Sequence, residues 1–224
     1  SLTKILQPQV SFVLMDQKTG YVKAISGGRG AKTANLTLNR ATNTPRQPGS
    51  TFKVISAFAP ALDTCGATLG TVYYDSIYSV GNKTFNNWYG QKYTGYSSIR
   101  DGIIYSMNIV AVRCLMETVS PQLGLEYAEN FGITTLTSQD LGASQALGGL
   151  NRGTTNLELT AAYASIANEG IYTRPVFFTK ILDHDGKILI NNEPETHRVL
   201  KDSTAFLLTD AMACLLYTSP SPRD

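Results

Sequence analysis

Arg46-Gln47-Pro48-Gly49-Ser50-Thr51-Phe52-Lys53 is the stretch on which the reading of this chain turns. A serine stands three residues before a lysine, at what reads as the first turn of an apolar helix. Val54, Ile55, Ala57, Phe58, Ala61 and Leu62 make that helix apolar on most sides, so it is expected to be buried and its start held rigidly. Pro60 should remove one helical hydrogen bond and kink the far end. Residues i and i+3 share a face, so the Ser50 hydroxyl and the Lys53 amine are expected to meet without help from the tertiary fold. A serine attacks only when a base takes its proton, and a lysine serves as that base when burial or positive charge lowers its pKa. A helix N-terminus disfavours protonated Lys53 and stabilises an anion at Ser50. Taken alone, the pattern is weak, and a solvated helix start is the better reading of it.

A second element follows 56 residues on, Ser106-Met107-Asn108. Ser97 or Ser98 can cap a short helix through Ile103 and Ile104. A second helix is expected near Ile109, with Ile109, Val112, Leu115, Met116 and Val119 at helical spacing. Ser106 and Asn108 then sit at a helix–helix junction, where short polar side chains can point into a cleft. Their bland role there is capping. S-x-x-K followed by S-x-N is two thirds of the signature shared by penicillin-binding proteins and class A β-lactamases, K-T-G being the third.

The resemblance is wider than these motifs. Asn39-Arg40-Ala41 with Arg46 to Lys53, and Ser106 through Val112, are similar to the transpeptidase domain of class A, bifunctional penicillin-binding proteins. So are Ala146-Leu147-Gly148-Gly149, Gly153, Thr155, Leu157-Glu158, Thr160, Ala162-Tyr163-Ala164 and Ala167-Asn168-Glu169-Gly170. The resemblance runs from about Val10 to about Met212. It implies an α+β fold, an antiparallel sheet with packed helices, here incomplete. It implies a peptidoglycan D,D-transpeptidase with Ser50, Lys53, Ser106 and Asn108 as catalytic residues and Ser50 and Asn108 on the substrate. Ser50 would attack the terminal D-Ala-D-Ala carbonyl of a stem peptide, Lys53 would take its proton, and Ser106 would relay a proton to the leaving D-alanine. Asn108 would bond the substrate amide and help orient Lys53. β-Lactams would acylate the same serine, and no metal or organic cofactor is implied. The family works on the extracytoplasmic face of the bacterial cytoplasmic membrane, so a membrane anchor and a glycosyltransferase domain are expected upstream of Ser1. The alternatives are a β-lactam sensor, a D-Ala-D-Ala carboxypeptidase or a serine β-lactamase. The contexts of Arg46-Gln47-Pro48-Gly49 and Ala146-Leu147-Gly148-Gly149 argue against the sensor and the β-lactamase, and no deacylating glutamate can be identified.

Composition agrees with a globular domain: 224 residues, 42% hydrophobic and 16% charged, with a formal net charge of +2. No basic stripe suggests nucleic acid, no run approaches 18 apolar residues, and Ser1-Leu2-Thr3-Lys4 is no signal peptide. Cys65, Cys114 and Cys214 lack metal or redox spacing and read as buried thiols. His184, in Asp183-His184-Asp185-Gly186, reads as hairpin turn rather than metal site.

Elsewhere the pattern is ordinary. Val10 to Met15 and Tyr21 to Ile25 read as a hairpin whose turn holds Lys18-Thr19-Gly20, a K-T-G in the wrong place for catalysis. Gly27-Gly28-Arg29-Gly30-Ala31-Lys32 lacks the Gly-Lys of a phosphate loop. Residues 63–97 read as loop-rich, with Trp88 and the tyrosines packing a surface rather than lining a groove. Thr155 to Glu158 is a capping box opening a helix that Gly170 can end. Val176 to Leu182 and Lys187 to Ile190 read as a hairpin, and Ser203 starts a helix through Met212. The domain is expected over 1–213, with 214–224 a non-native or disordered tail, because its Ser-Pro repeat cannot continue a helix. The family's K-T-G strand would follow; its loss would remove an oxyanion donor, at about 10²–10³ in rate.

Overall fold

Alternating side chains at residues 12–15 and 22–26 form the first ribbon. The computed structural model describes residues 8–31 and 34–218. In it, β1 (Phe12–Met15) pairs antiparallel with β2 (Val22–Ser26), Phe12 opposite Ser26, with a bulge between Leu14 and Met15. Asp16 Oδ1 accepts the backbone N–H groups of Lys18 and Thr19, at 2.9 and 3.1 Å. That is an Asx turn, so Lys18-Thr19-Gly20 is turn chemistry, as expected. A short α1 (Arg40–Asn43) follows, its Ala41 N–H capped by Asn39.

The Ser50 helix is less regular than its sequence suggested. It starts as a 3₁₀ turn (Gly49–Thr51), widens into a π-turn (Val54–Phe58) and ends as α2 (Ala59–Asp63). Pro60 has no N–H to offer the carbonyl of Ser56. The wide turn just before it takes up that loss, in place of the expected kink at the far end. All five π-turn residues are buried.

The polar stretch after α2 is not simply loop. β3 (Val72–Asp75) pairs with a later β6 (Gly95–Ser98), and between them β4 (Tyr78–Val80) pairs with β5 (Lys83–Phe85). Strands of three or four residues leave too little alternation to read. Trp88 does not pack as expected: it is 70% exposed and lines a shallow aromatic cleft with Tyr89, Tyr96 and Tyr105.

Helices then build the core. Ser98 caps α3 (Ile99–Ile104) through a reciprocal box with Asp101. α4 (Asn108–Arg113) runs into a second π-turn, Cys114–Val119. The two π-turns touch, with the buried Cys114 thiol donating to the Ala57 carbonyl at 3.6 Å. Cys65 and Cys214 are only half-buried, against expectation. In α5 (Pro121–Asn130), a Cβ on Gly124 would lie 2.6 Å from the Ser56 carbonyl, so only glycine permits that approach. The expected capping box opens α6 (Asn156–Ala167). Burial pushes the Glu158 carboxyl up, but hydrogen bonds from Thr134 and Thr155 outweigh it and hold it below its ordinary pKa. Gly170, with φ of +79°, closes the helix end by donating to the Ser165 carbonyl.

β7 (Ile171–Thr173) follows α6. The C-terminal hairpin is shorter than read, β8 (Lys180–Leu182) with β9 (Ile188–Asn191), because Val176 bridges to Tyr21 instead. His184 lies exposed in its turn, beside Asp185. β10 (Thr196–Arg198) pairs back to β7. α7 then runs from Asp202 to Thr218, five residues beyond the expected domain boundary at 213. The expected tail at 214–224 thus begins within this helix; residues 219–224 lie outside the described residues. The α+β class stands. The sheet component consists, among the described residues, of five two-stranded antiparallel ribbons rather than one wide sheet.

Candidate active site

The apolar helix buries its lysine. Lys53 is 2% exposed, and burial lowers its pKa from 10.5 to about 7. Its Nζ donates to the Ser106 carbonyl at 2.6 Å, to Ser106 Oγ at 3.1 Å and to Asn108 Oδ1 at 2.7 Å. Three acceptors satisfy the three hydrogens of an ammonium. Loss of one proton leaves two donors and a lone pair, the form a base needs.

Ser106 sits where α3 ends and α4 begins. Its backbone is left-handed, with φ of +48°, an uncommon conformation for a serine. The turn is held by Ser106 N–H to the Ile103 carbonyl at 3.2 Å and Met107 N–H to the Gly102 carbonyl at 3.0 Å. The conformation aims both the carbonyl and the hydroxyl of Ser106 at Lys53. Neither Ser106 nor Asn108 caps α4, whose N-cap is Met107 without a side-chain bond. The capping alternative therefore fails.

Ser50 is exposed on the 3₁₀ turn. It lines a cleft of about 520 Å³ with Lys53, Ser106, Tyr163, Thr209 and Met212. Ser50 and Lys53 share this cleft, with no hydrogen bond between them among the described residues. The lysine is instead claimed by the α3–α4 junction, so its placement is tertiary and not a product of one helical turn.

The backbone around Ser50 is clamped from outside its own helix. Arg46 and Thr154 exchange two backbone hydrogen bonds, at 2.9 and 2.8 Å. Gln47 Nε2 donates to the Leu150 carbonyl at 3.2 Å. A Cβ at Gly148 would overlap the Gly49 backbone, and one at Gly153 would overlap Arg46. Tyr163 donates its hydroxyl to the Thr51 carbonyl at 2.6 Å, and burial raises the pKa of that hydroxyl. Two sequence blocks about a hundred residues apart, 46–49 and 148–154, are thus faces of one contact.

A model of the penicillin-binding protein transpeptidase domain matches residues 10–214 of the chain. The chain belongs to this family. The penicillin-binding protein 1A of Clostridium tetani is 34% identical over 223 residues, an alignment covering 93% of this chain and 28% of the relative. Among solved structures, penicillin-binding protein 1A from Haemophilus influenzae superposes with a TM-score of 0.80 at 26% identity, over 95% of this chain and 36% of that one. PonA1 from Mycobacterium tuberculosis, in complex with penicillin V, superposes with a TM-score of 0.78 at 25% identity, over 90% of this chain and 54% of that one. The chain spans little more than a quarter of the length of the curated relative.

In this transpeptidase-family domain the structure brings Ser106 and Asn108 onto Lys53 and sets Ser50 on the cleft that Lys53 and Ser106 line. Sequence reading missed the outer support: Tyr163, and the Asn86-Asn87 pair whose backbone and side-chain groups meet Asn108. Two adjacent asparagines in a polar loop were the available signal, but no local spacing ties them to residue 108. No helix among the described residues is long and apolar enough to cross a membrane.

Proposed function

We propose that this chain carries the acyl-transfer centre of a peptidoglycan D,D-transpeptidase, with Ser50 as nucleophile and Lys53 as its base. Neutral Lys53 takes the Ser50 proton as Oγ attacks the carbonyl joining the two terminal D-alanines of a stem peptide. Collapse of the tetrahedral intermediate breaks the amide bond. Ser106, bonded to Lys53, passes the proton to the departing D-alanine. An amine of a second stem peptide then attacks the acyl-Ser50 ester and forms the cross-link, while water in its place gives carboxypeptidase activity. Asn108 holds Lys53 through Oδ1 and takes part in binding the substrate amide. β-Lactams acylate Ser50 by the same attack. The whole protein works at the extracytoplasmic face of the bacterial membrane, anchored by a segment outside this chain.

One observation carries this reading: a buried lysine with a pKa of about 7, bonded to Ser106 Oγ and Asn108 Oδ1 on the wall of the cleft that Ser50 lines. A base with that pKa is substantially neutral near neutral pH, where proton transfer is most effective. The PonA1 complex with penicillin V supports β-lactams as inhibitors.

The test is to label the full-length protein with a fluorescent penicillin and map the modified peptide by mass spectrometry. The label is expected on Ser50. Attachment to Ser106 or to any other residue would sink the assignment.

A further inference from the structure

Behind the Ser106–Asn108 turn lies a buried polar pair that the acylation chemistry does not itself use. Asp75, on β3, is 1% exposed, and Asn87 is 4% exposed. Asn87 Nδ2 donates to Asp75 Oδ1 at 2.8 Å. Asn87 Oδ1 accepts the backbone N–H groups of Asn108 at 2.9 Å and Ile109 at 3.2 Å. The other Asp75 oxygen is filled by Thr94, through its N–H at 2.9 Å and its hydroxyl at 3.1 Å. Asn87 thus caps α4 from a distant loop, a task left undone by Met107. Next to it, the Asn86 carbonyl accepts Asn108 Nδ2 at 2.9 Å.

We propose that Asp75 and Asn87 are positioning residues for the acylation of Ser50, holding the 86–87 backbone and the first turn of α4 so that Asn108 presents its oxygen to Lys53. The proposal rests on the reading of Ser50 and Lys53 given above. An asparagine amide has nearly the same shape with its oxygen and nitrogen exchanged, so only its partners choose the sense. At Asn108 the choice is made by the Asn86 carbonyl, which can accept only from the NH₂ group. Oδ1 is then left for Lys53, at 2.7 Å. With the sense reversed, N–H donors would face an ammonium and the lysine would lose an acceptor. Asn87 cannot itself reverse. Its NH₂ must face the Asp75 carboxylate and its oxygen must face two N–H groups. The order runs from a buried carboxylate, through two asparagines, to the base.

The experiment exploits the near-identity of aspartate and asparagine. In the full-length protein, N87D sets two carboxylates face to face. The exchange D75N/N87D restores every hydrogen bond, since an amide at position 75 can accept from Thr94 and donate to a carboxylate at position 87. Acylation by a penicillin is followed by stopped flow, separating the pre-acylation dissociation constant from the acylation rate constant per folded molecule. N87D is expected to slow acylation about 10²-fold, the scale of loss from a small misplacement of reacting groups, with the dissociation constant little changed. The exchange should return the rate constant to within a few-fold of the unaltered protein. An N87D protein that acylates at the unaltered rate, or a folded exchange variant no faster than N87D, overturns the proposal. If N87D does not fold, Thr94→Val, which removes the hydroxyl bonds to Asp75 and Ser97 but keeps the Thr94 N–H on Asp75, takes its place. It should slow acylation severalfold, and an unchanged rate in folded T94V overturns the proposal. An unaltered protein with no label on Ser50 would instead overturn the reading of the site, and this proposal with it.

Discussion

Replacing Lys53 by methionine will stabilise the domain and silence its serine. The lysine is buried, and its pKa falls from 10.5 to about 7 because burial penalises the charge. At 1.36 kcal/mol per unit, that fall corresponds to roughly 5 kcal/mol. Below pH 7 both the folded and the unfolded chain hold the proton, and the folded state bears the whole cost. Between pH 7 and 10.5 the folded chain releases the proton while the unfolded chain keeps it, so stability rises with pH. Above 10.5 both are neutral and the cost is gone. Methionine has similar length and no charge, but it leaves the Ser106 and Asn108 acceptors without their donor, at about 1 kcal/mol each. The net gain at pH 6 should be about 2–3 kcal/mol. Urea unfolding at pH 6, 8 and 10 measures it: the advantage of K53M over the unaltered protein should shrink steadily as pH rises. Acylation of Ser50 should fall by about 10²–10⁴, the usual worth of a general base. Lys53→Arg should fail equally, because a guanidinium keeps its proton. A K53R protein that acylates at the unaltered rate would mean that positive charge, not proton transfer, is what position 53 supplies.

Gly148→Ala should damage both stability and acylation, and Gly186→Ala should damage neither seriously. Both glycines have left-handed backbones, φ +68° and +82°, so both variants bear a conformational cost of roughly 1–2 kcal/mol. They differ in their surroundings. Nothing lies within 4 Å of a Cβ built at Gly186, whereas one at Gly148 overlaps the Gly49 backbone. Relieving that overlap adds about 1–3 kcal/mol and pushes on the residue next to Ser50. G148A should therefore lose about 2–5 kcal/mol and acylate at least tenfold more slowly per folded molecule, by the sensitivity of reacting groups to misplacement. G186A should acylate at the unaltered rate. Equal acylation by the two variants would show that the 148–153 segment does not hold Ser50 in place.

Much of this architecture was readable because its signals are local. The first hairpin declares itself by two apolar runs around Asp16 to Gly20, and the box at Thr155 by a carboxylate three residues on. Ser50, Lys53, Ser106 and Asn108 were singled out by motif, and the structure does assemble the last three around one amine. What was not readable depends on contacts remote in sequence. The bonds that hold Lys53 come from the α3–α4 junction, 53 to 55 residues away, and not from its own turn. The strands between 72 and 98 are too short for a period to emerge. The cap on α4 comes from Asn87, 21 residues upstream, where no capping rule looks.

The contact between the two π-turns gives the molecule an internal clock. Cys114 is fully enclosed, bonded to the Ala57 carbonyl, and its thiol pKa is pushed by burial to about 12. An alkylating reagent needs a thiolate it can reach. In the native state this sulfur offers neither, while the half-buried Cys65 lies nearer the surface. Ala57 belongs to the same turn that follows Lys53. Each covalent capture of Cys114 therefore records one excursion in which the helix carrying Ser50 has parted from its neighbour. At reagent concentrations where capture outpaces reclosing, the alkylation half-life of this one sulfur measures how often this core comes apart, in a protein that otherwise looks at rest.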